Sequence, residues 1–190
     1  APAHKTRVVG YGAALIAVVL IAAGVMDYNR SQASAREEAL YHTLRVDEAT
    51  TGTAIEPTSL HFDTEADKTK AKMPAFTELS AKYSGSQESA IADMYLASYA
   101  VDQGNQEEAA RRYKQVVDKG PDAYASLARM ALSQIYISEG KTADAEKVLR
   151  DAIAKPSATV SKEHAQLALG EMLSNSNPTE AHKLIDPLRT

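Results

Sequence analysis

The sequence predicts an all-α protein in which a single N-terminal transmembrane helix is followed by helical-hairpin repeats stacked as an α-solenoid. Three observations carry that prediction. Residues 8–26, VVGYGAALIAVVLIAAGVM, contain no charged side chain. Behind them, the chain repeats an apolar pattern at an offset of 36 residues. Alanine is abundant throughout, aromatics make up only 6%, and Gly and Pro stand as isolated punctuation, a composition that favours helices.

The N-terminal element follows from length and charge. A helix rising 1.5 Å per residue over about 19 residues covers about 30 Å, the thickness of a bilayer's hydrocarbon core. Residues 1–7 form a short basic end, and residues 8–28 the span, with Tyr11 and Tyr28 near its two boundaries, where aromatic rings favour the headgroup level. Lys5 and Arg7 precede the span and Asp27 follows it, so the positive-inside rule puts the N-terminus in the cytoplasm and the rest outside it. Ala33-Ser34-Ala35 offers a cleavage-like pattern, but the apolar run is long and its approach to that site charged, which favours an anchor over a signal peptide. Ala1 is not an initiator residue, so some N-terminal sequence is expected to be missing or cleaved. Gly10 with Ala14, and Ala13 with Ala17, place small residues four apart, a spacing that lets another membrane helix approach closely.

The repeat emerges when AVDQGNQEEAARRYKQVVDKGP (100–121) is superposed on YISEGKTADAEKVLRDAIAKPS (136–157). Gly104 falls on Gly140, Ala109 on Ala145, Tyr113 on Leu149 and Val117 on Ile153. Upstream, Ala92, Tyr95, Leu96, Tyr99 and Ala100 fall on Ala128, Ala131, Leu132, Ile135 and Tyr136. Both sets run i, i+3, i+4, i+7, i+8, one apolar stripe on a helix, so each unit is helix, Gly turn, helix. A third unit (164–188) keeps the second-helix stripe at Ala181, Leu184, Ile185 and Leu188. Its first helix fits better slipped by one residue. Asn177-Pro178 supplies an N-cap and a first-turn proline, and Pro187 ends that helix early.

Small-x-x-aromatic, then Gly, then Ala five residues on, a large apolar four further and Pro near the unit's end together resemble the tetratricopeptide repeat. Ala97, Gly104, Ala109, Tyr113 and Pro121 carry the resemblance in one unit, and Tyr136, Gly140, Ala145, Leu149 and Ala152, with Pro156, in the next. The wider layout adds a basic N-terminus and one span, then SQASAREEALYHTL and PAFTELSAKYSGSQESAIADMYLASYAVDQGN. This is similar to the YfgM-type family of membrane-anchored, tetratricopeptide-like proteins of the bacterial envelope. The resemblance implies an ancillary subunit of the SecYEG translocon, in the inner membrane with its C-terminal domain in the periplasm. It also divides residues 29–84 into a long helix (29–49), a polar insertion (50–71) and a partner helix (72–83) of a degenerate repeat, ahead of the repeats at 85–190. The insertion, rich in Thr, has no helical periodicity and is expected as a loop or extended segment.

Composition leaves little room for catalytic chemistry. The 190-residue chain carries a net charge of −4 and no cysteine, which removes thiolate metal sites and catalytic thiols and lacks the basic footprint that nucleic acid needs. Gly140-Lys141-Thr142 ends like a phosphate-binding loop. Position 135, where the motif needs its first Gly, is Ile, and a helical pattern, not a strand, precedes it. The turn therefore belongs to the repeat, with Thr142 as expected N-cap. His4, His42, His61, His164 and His182 form no metal-gripping pair, and no serine sits in a nucleophile elbow. The chain reads as a non-enzyme without metal or cofactor.

Stacked hairpins make a concave surface from their first helices. By the tetratricopeptide resemblance, the groove-facing stripe is Ile91, Met94, Ser98 and Val101 in one unit and Leu127, Met130, Gln134 and Ile137 in the next. It is neutral and mostly aliphatic, with methionines that adapt to varied shapes. Two roles fit it: packing within the protein, or capture of a partner. Arg111-Arg112 and Glu107-Glu108 read as a solvated face. The partners expected are the lipid bilayer, a membrane complex (the translocon or another multisubunit assembly) and its clients. A structural accessory subunit of a respiratory or photosynthetic complex is the alternative.

Overall fold

Helix starts in this protein are written by short polar side chains. Thr64, Ser86, Asn105, Ser161 and Asn177 each accept a hydrogen bond from the backbone N–H three residues on, satisfying donors that the first helical turn leaves free. The computed structural model describes residues 3–52 and 60–189, with side chains from residue 23 onward. Among these, the order is α1 (Ala3–Glu48), β1 (Thr50–Thr51), β2 (His61–Phe62), α2 (Glu65–Lys82), α3 (Gln87–Asp102), α4 (Gln106–Lys119), α5 (Asp122–Ser138), α6 (Thr142–Ala154), α7 (Lys162–Leu173), α8 (Pro178–Ile185) and a closing 3-10 turn (Asp186–Arg189). The chain divides into two compact units, Ala1–His42 and Thr43–Thr190.

The first unit is helical throughout its described backbone and leaves Val25, Met26 and Tyr28 exposed. Residues 8–28 are helical, but the side chains up to residue 22, including the small pairs Gly10–Ala14 and Ala13–Ala17, lie outside the described ones. Among the described residues, no helix is long and apolar enough to cross a membrane.

The second unit is an all-helical array in which sequential helices pack on one another, α2 on α3, α3 on α4, and so on to α8. Its register is the 36-residue repeat. Ser89, Ala90, Ala92, Asp93, Leu96 and Ala97 are buried on α3, and so are Ala125, Ser126, Ala128, Arg129, Leu132 and Ser133 on α5. Ala109, Tyr113 and Val116 of α4 correspond in the same way to Ala145, Leu149 and Ala152 of α6. On α7 the buried set Ala165, Leu169 and Gly170 lies one residue further along, the slip expected from the sequence. Gly170 has its own reason: a Cβ there would sit 2.5 Å from Ile185 Cγ1, so glycine lets α7 and α8 close.

The hairpin turns are equally matched. Gly104 and Gly140 both sit at φ +72°. Gly104 N–H donates to the Val101 carbonyl and Asn105 N–H to that of Ala100; Gly140 and Lys141 repeat this on Ile137 and Tyr136. This is the Schellman closure, in which glycine takes the left-handed position without steric cost. Thr142 is not the cap. The N-cap is Lys141, with no side-chain capping bond, and the Thr142 hydroxyl instead faces the Gly140 carbonyl at 3.5 Å.

The stretch 50–71 departs from a plain loop. Thr50 and Thr51 pair in parallel with His61 and Phe62, while residues 53–59 lie outside the described ones. Helix α2 starts at Glu65, seven residues before the expected 72. Thr64 caps it, and Glu65 and Asp67 place acids in its first turn, where the helix dipole favours them. Pro74 lies inside α2, so the helix runs through a residue that cannot donate to the Lys70 carbonyl. Phe76, 1% exposed, stacks on Tyr95 at 4.7 Å, and Lys72 pairs with Asp47 at 2.9 Å.

Candidate protein-binding face

The first helices of the hairpins, α3, α5 and α7, bring the expected stripe together on an array of matched register, and the structure divides it in two. Met94 is half-buried against the core formed by α3, α4 and α5. Met130 packs on Leu149 and Leu169 and on Ala152, Val160 and Ala165. Ile91 is also half-buried. These three work mainly as packing. Val101, Leu127 and Ile137, by contrast, keep 37–38% of their surface exposed, and Ser98 and Gln134 are exposed beside them. An isolated exposed aliphatic residue means little; the same exposure at Val101 and Ile137, 36 residues apart, marks a repeated surface position.

Two further members of this face are not in the expected stripe. Leu167 on α7 is 40% exposed and lies 37 residues after Met130, so the one-residue slip of the third unit points to it. Tyr95 is also exposed, although its ring partner Phe76 covers one side; no local signal distinguishes it from a core aromatic.

A cavity of about 290 Å³ opens among Val101, Gln106, Tyr113, Ala131, Gln134, Ile135 and Ser138. Two stripe residues, Val101 and Gln134, thus line a recess between adjacent hairpins that is large enough for an amino-acid side chain. Tyr113 stays a neutral phenol there, because burial pushes its pKa up and Asp102 adds to the shift. The recess offers apolar contact with hydroxyl and amide groups at its rim, which suits capture of a side chain rather than catalysis.

Several ionisable groups elsewhere are paired. Lys141 of the GKT turn reaches Glu139 at 3.0 Å and lies 5.9 Å from the centre of the Tyr136 ring. The Glu139 carboxylate raises its pKa. It shares a 350 Å³ depression with Glu107, Arg111, Lys114 and Glu139, a mixture of charges in which Lys114 is held by Asp118 at 2.6 Å. A phosphate cradle needs converging free donors, which this depression lacks. His42 lies 3.7 Å from Glu38 and His182 3.5 Å from Asp186. Among the described residues, no three His, Asp or Glu side chains converge as metal ligands.

Of the pair Arg111-Arg112, expected as a solvated face, only Arg111 is one. Arg111 is exposed and bonds Glu108. The Arg112 side chain is only 13% exposed. It donates through Nη1 to Asp93 at 2.9 Å and through Nε to Glu108 at 2.8 Å. Asp93, 1% exposed, also accepts from the Ser80 hydroxyl at 2.8 Å, and the Ser89 hydroxyl donates to the Ser80 carbonyl. One buried polar node therefore ties α2, α3 and α4. Arg112 follows its exposed twin by one residue, a turn of about 100° that carries it from water to the seam.

No curated protein and no solved structure matches the chain. A family model agrees with the scaffold. Residues 8–183 match the tetratricopeptide repeat-like domain, and by that match, on the hairpin array described above, the chain belongs to the tetratricopeptide repeat-like domain family.

Proposed function

We propose that this protein is a non-catalytic interaction module, anchored by residues 8–28 in the bacterial inner membrane, that holds its repeat domain in the periplasm as a translocon-associated, chaperone-like subunit. Repeat arrays of this kind bind other proteins through faces built from successive units. The observation that carries the reading is the exposed aliphatic face of α3, α5 and α7, with Val101 and Ile137 equally exposed at equivalent positions. A neutral, aliphatic surface beside an apolar recess suits brief capture of unfolded or amphipathic segments. The charge-free run at 8–26, with Lys5 and Arg7 before it and Asp27 after it, supports the anchor and its orientation. The small pairs Gly10–Ala14 and Ala13–Ala17 suit docking against a partner's membrane helices.

The test is extraction of the intact protein in mild detergent, followed by mass spectrometry of what remains bound. Translocon subunits together with many secretory proteins are expected, and replacing Gly10 and Ala14 by Leu is expected to reduce translocon recovery. Stoichiometric recovery with a different membrane assembly, and no translocon, would instead make the protein a structural accessory subunit.

A further inference from the structure

Each hairpin of the array is covered by the first helix of the next, and the last described hairpin keeps that covering position open. In the hairpin α3–α4, Met94, Tyr113 and Val116 share one apolar cluster with Ala128 and Leu132 of α5. Thirty-six residues on, in α5–α6, stand Met130, Leu149 and Ala152. Leu149 and Ala152 are 0% and 1% exposed, and Met130 packs with them against Leu169 and Ala165 of α7. In α7–α8 the same series reads Leu167, Ile185 and Leu188, with Leu167 displaced by the one-residue slip of α7. Here Leu167 is 40% exposed, and Ile185 and Leu188 are only half-buried. These three form the floor of a groove of about 460 Å³, with Glu163, His164 and Arg189 at its rim. Among the described residues a single 3-10 turn follows α8, so no next helix fills the groove.

We propose that this groove is a docking site for an amphipathic α-helix of a partner protein, which takes the place that α5 and α7 take on the hairpins before them. The groove continues the interface that joins successive hairpins, so those interfaces state what fits it. Both covering helices bring an alanine and, four residues on, a leucine: Ala128 with Leu132, and Ala165 with Leu169. Residues four apart share one face of a helix. The alanine lets the backbones approach, and the leucine fills the furrow between the paired helices. In a second copy of the chain these pairs are buried within its own array, so the partner is a different protein. The rim of the groove departs from the sealed interface. Glu163 and Arg189 stand where the preceding hairpin has Ser126 and Ile153. A charged rim around an apolar floor suits an exchangeable interface rather than a permanent seam. The site goes beyond the translocon reading, and needs neither the membrane span nor Val101 and Ile137.

The probe is the chain's own covering helix, a blocked peptide of residues 157–174 stapled as a helix on the side away from Ala165 and Leu169. It is titrated into the full chain in detergent, while methyl NMR follows Leu167, Ile185 and Leu188. Saturable binding that shifts these three residues is expected. Leu169→Asp in the peptide should weaken binding at least tenfold, because the leucine is no longer buried. Leu167→Asp in the protein should weaken it to the same degree and, at an exposed position, leave the unfolding temperature close to that of the parent. Val101→Asp should leave peptide binding unchanged, which separates failure of this site from failure of the translocon reading. No saturable binding, equal binding by the Leu167→Asp protein, or shifts centred elsewhere in the array would overturn the proposal. So would a dimer of the full chain in sedimentation that Leu167→Asp dissociates, which would make a second copy the occupant.

Discussion

The hairpin α3–α4 and the hairpin α5–α6 share a backbone and differ in their polar chemistry. Their buried positions coincide at an offset of 36 residues, and their glycine turns have the same φ and the same closing hydrogen bonds. Yet Asp93 sits in a node with Ser80 and Arg112, whereas the equivalent place holds Arg129, and Val116 and Val148 stand where the node has Ser80 and Arg112. Asn105 caps α4 with its side chain, and Lys141 does not cap α6. Small and aliphatic residues that allow helices to close thus carry the fold, and the polar positions between them are free to diverge. In this array, repetition specifies architecture, and departure from repetition marks where individual chemistry begins.

The difference between the hairpins rests most heavily on Asp93. Removing its carboxylate leaves the Ser80 hydroxyl without an acceptor and Arg112 with only Glu108 in a seam shielded from water, so Asp93→Ala is expected to destabilise the repeat domain by about 3 kcal/mol in urea denaturation. Adding Arg112→Met should recover a large part of that loss, since the pair is then removed together. A loss below about 1 kcal/mol for Asp93→Ala would show that the node is incidental.

The matched turns provide an intermediate effect. A Cβ added at Gly104 or Gly140 would meet nothing within 4 Å, so alanine there encounters only backbone strain. Gly104→Ala and Gly140→Ala are each expected to cost about 1–2 kcal/mol, and by equal amounts. A clear difference between them in thermal unfolding would mean that the two turns are not energetically equivalent.

The smallest effect is acid dependence. The Arg111 hydrogen bond first, and that of Arg112 after it, hold the Glu108 carboxyl below its ordinary value of 4.5. A depressed folded-state value means that this stabilisation is fully present above about pH 4.5 and disappears as the pH falls through the lower folded value. Glu108→Gln should therefore lose stability at neutral pH and converge on the parent as the pH falls below the lowered folded value. The second hairpin has Asp144 at the equivalent position, and it is exposed.

Periodicity makes the hairpins legible in the sequence, because an amphipathic stripe repeated at one offset leaves few other folds. Alanine at 109 and 145 and glycine at 104 and 140 are local demands of close packing and of a left-handed turn, and both can be read from residue type. The early start of α2 is written in Thr64, Glu65 and Asp67, but Pro74 imitates a first-turn proline and points to a later start. The short parallel pairing of Thr50–Thr51 with His61–Phe62 is non-local and leaves no periodic trace in two residues. At the candidate face, sequence places the stripe on α3 and α5 but not the depth of each residue. Met94 and Met130 are covered by neighbouring hairpins, and only three-dimensional packing decides that. The pairing of Arg112 with Asp93 crosses between helices and is likewise invisible to a pattern within one helix.

Site-specific photocrosslinking in intact membranes tests the interaction face most directly. A photoreactive residue is placed in turn at Val101, Leu127 and Ile137 on the first helices, and at Glu107 and Lys147 on the second helices, all exposed positions. Protein adducts are expected from the first-helix set and not from the second. Equal adducts from both sets, or adducts from the second helices alone, would contradict the assignment of the binding face to α3, α5 and α7.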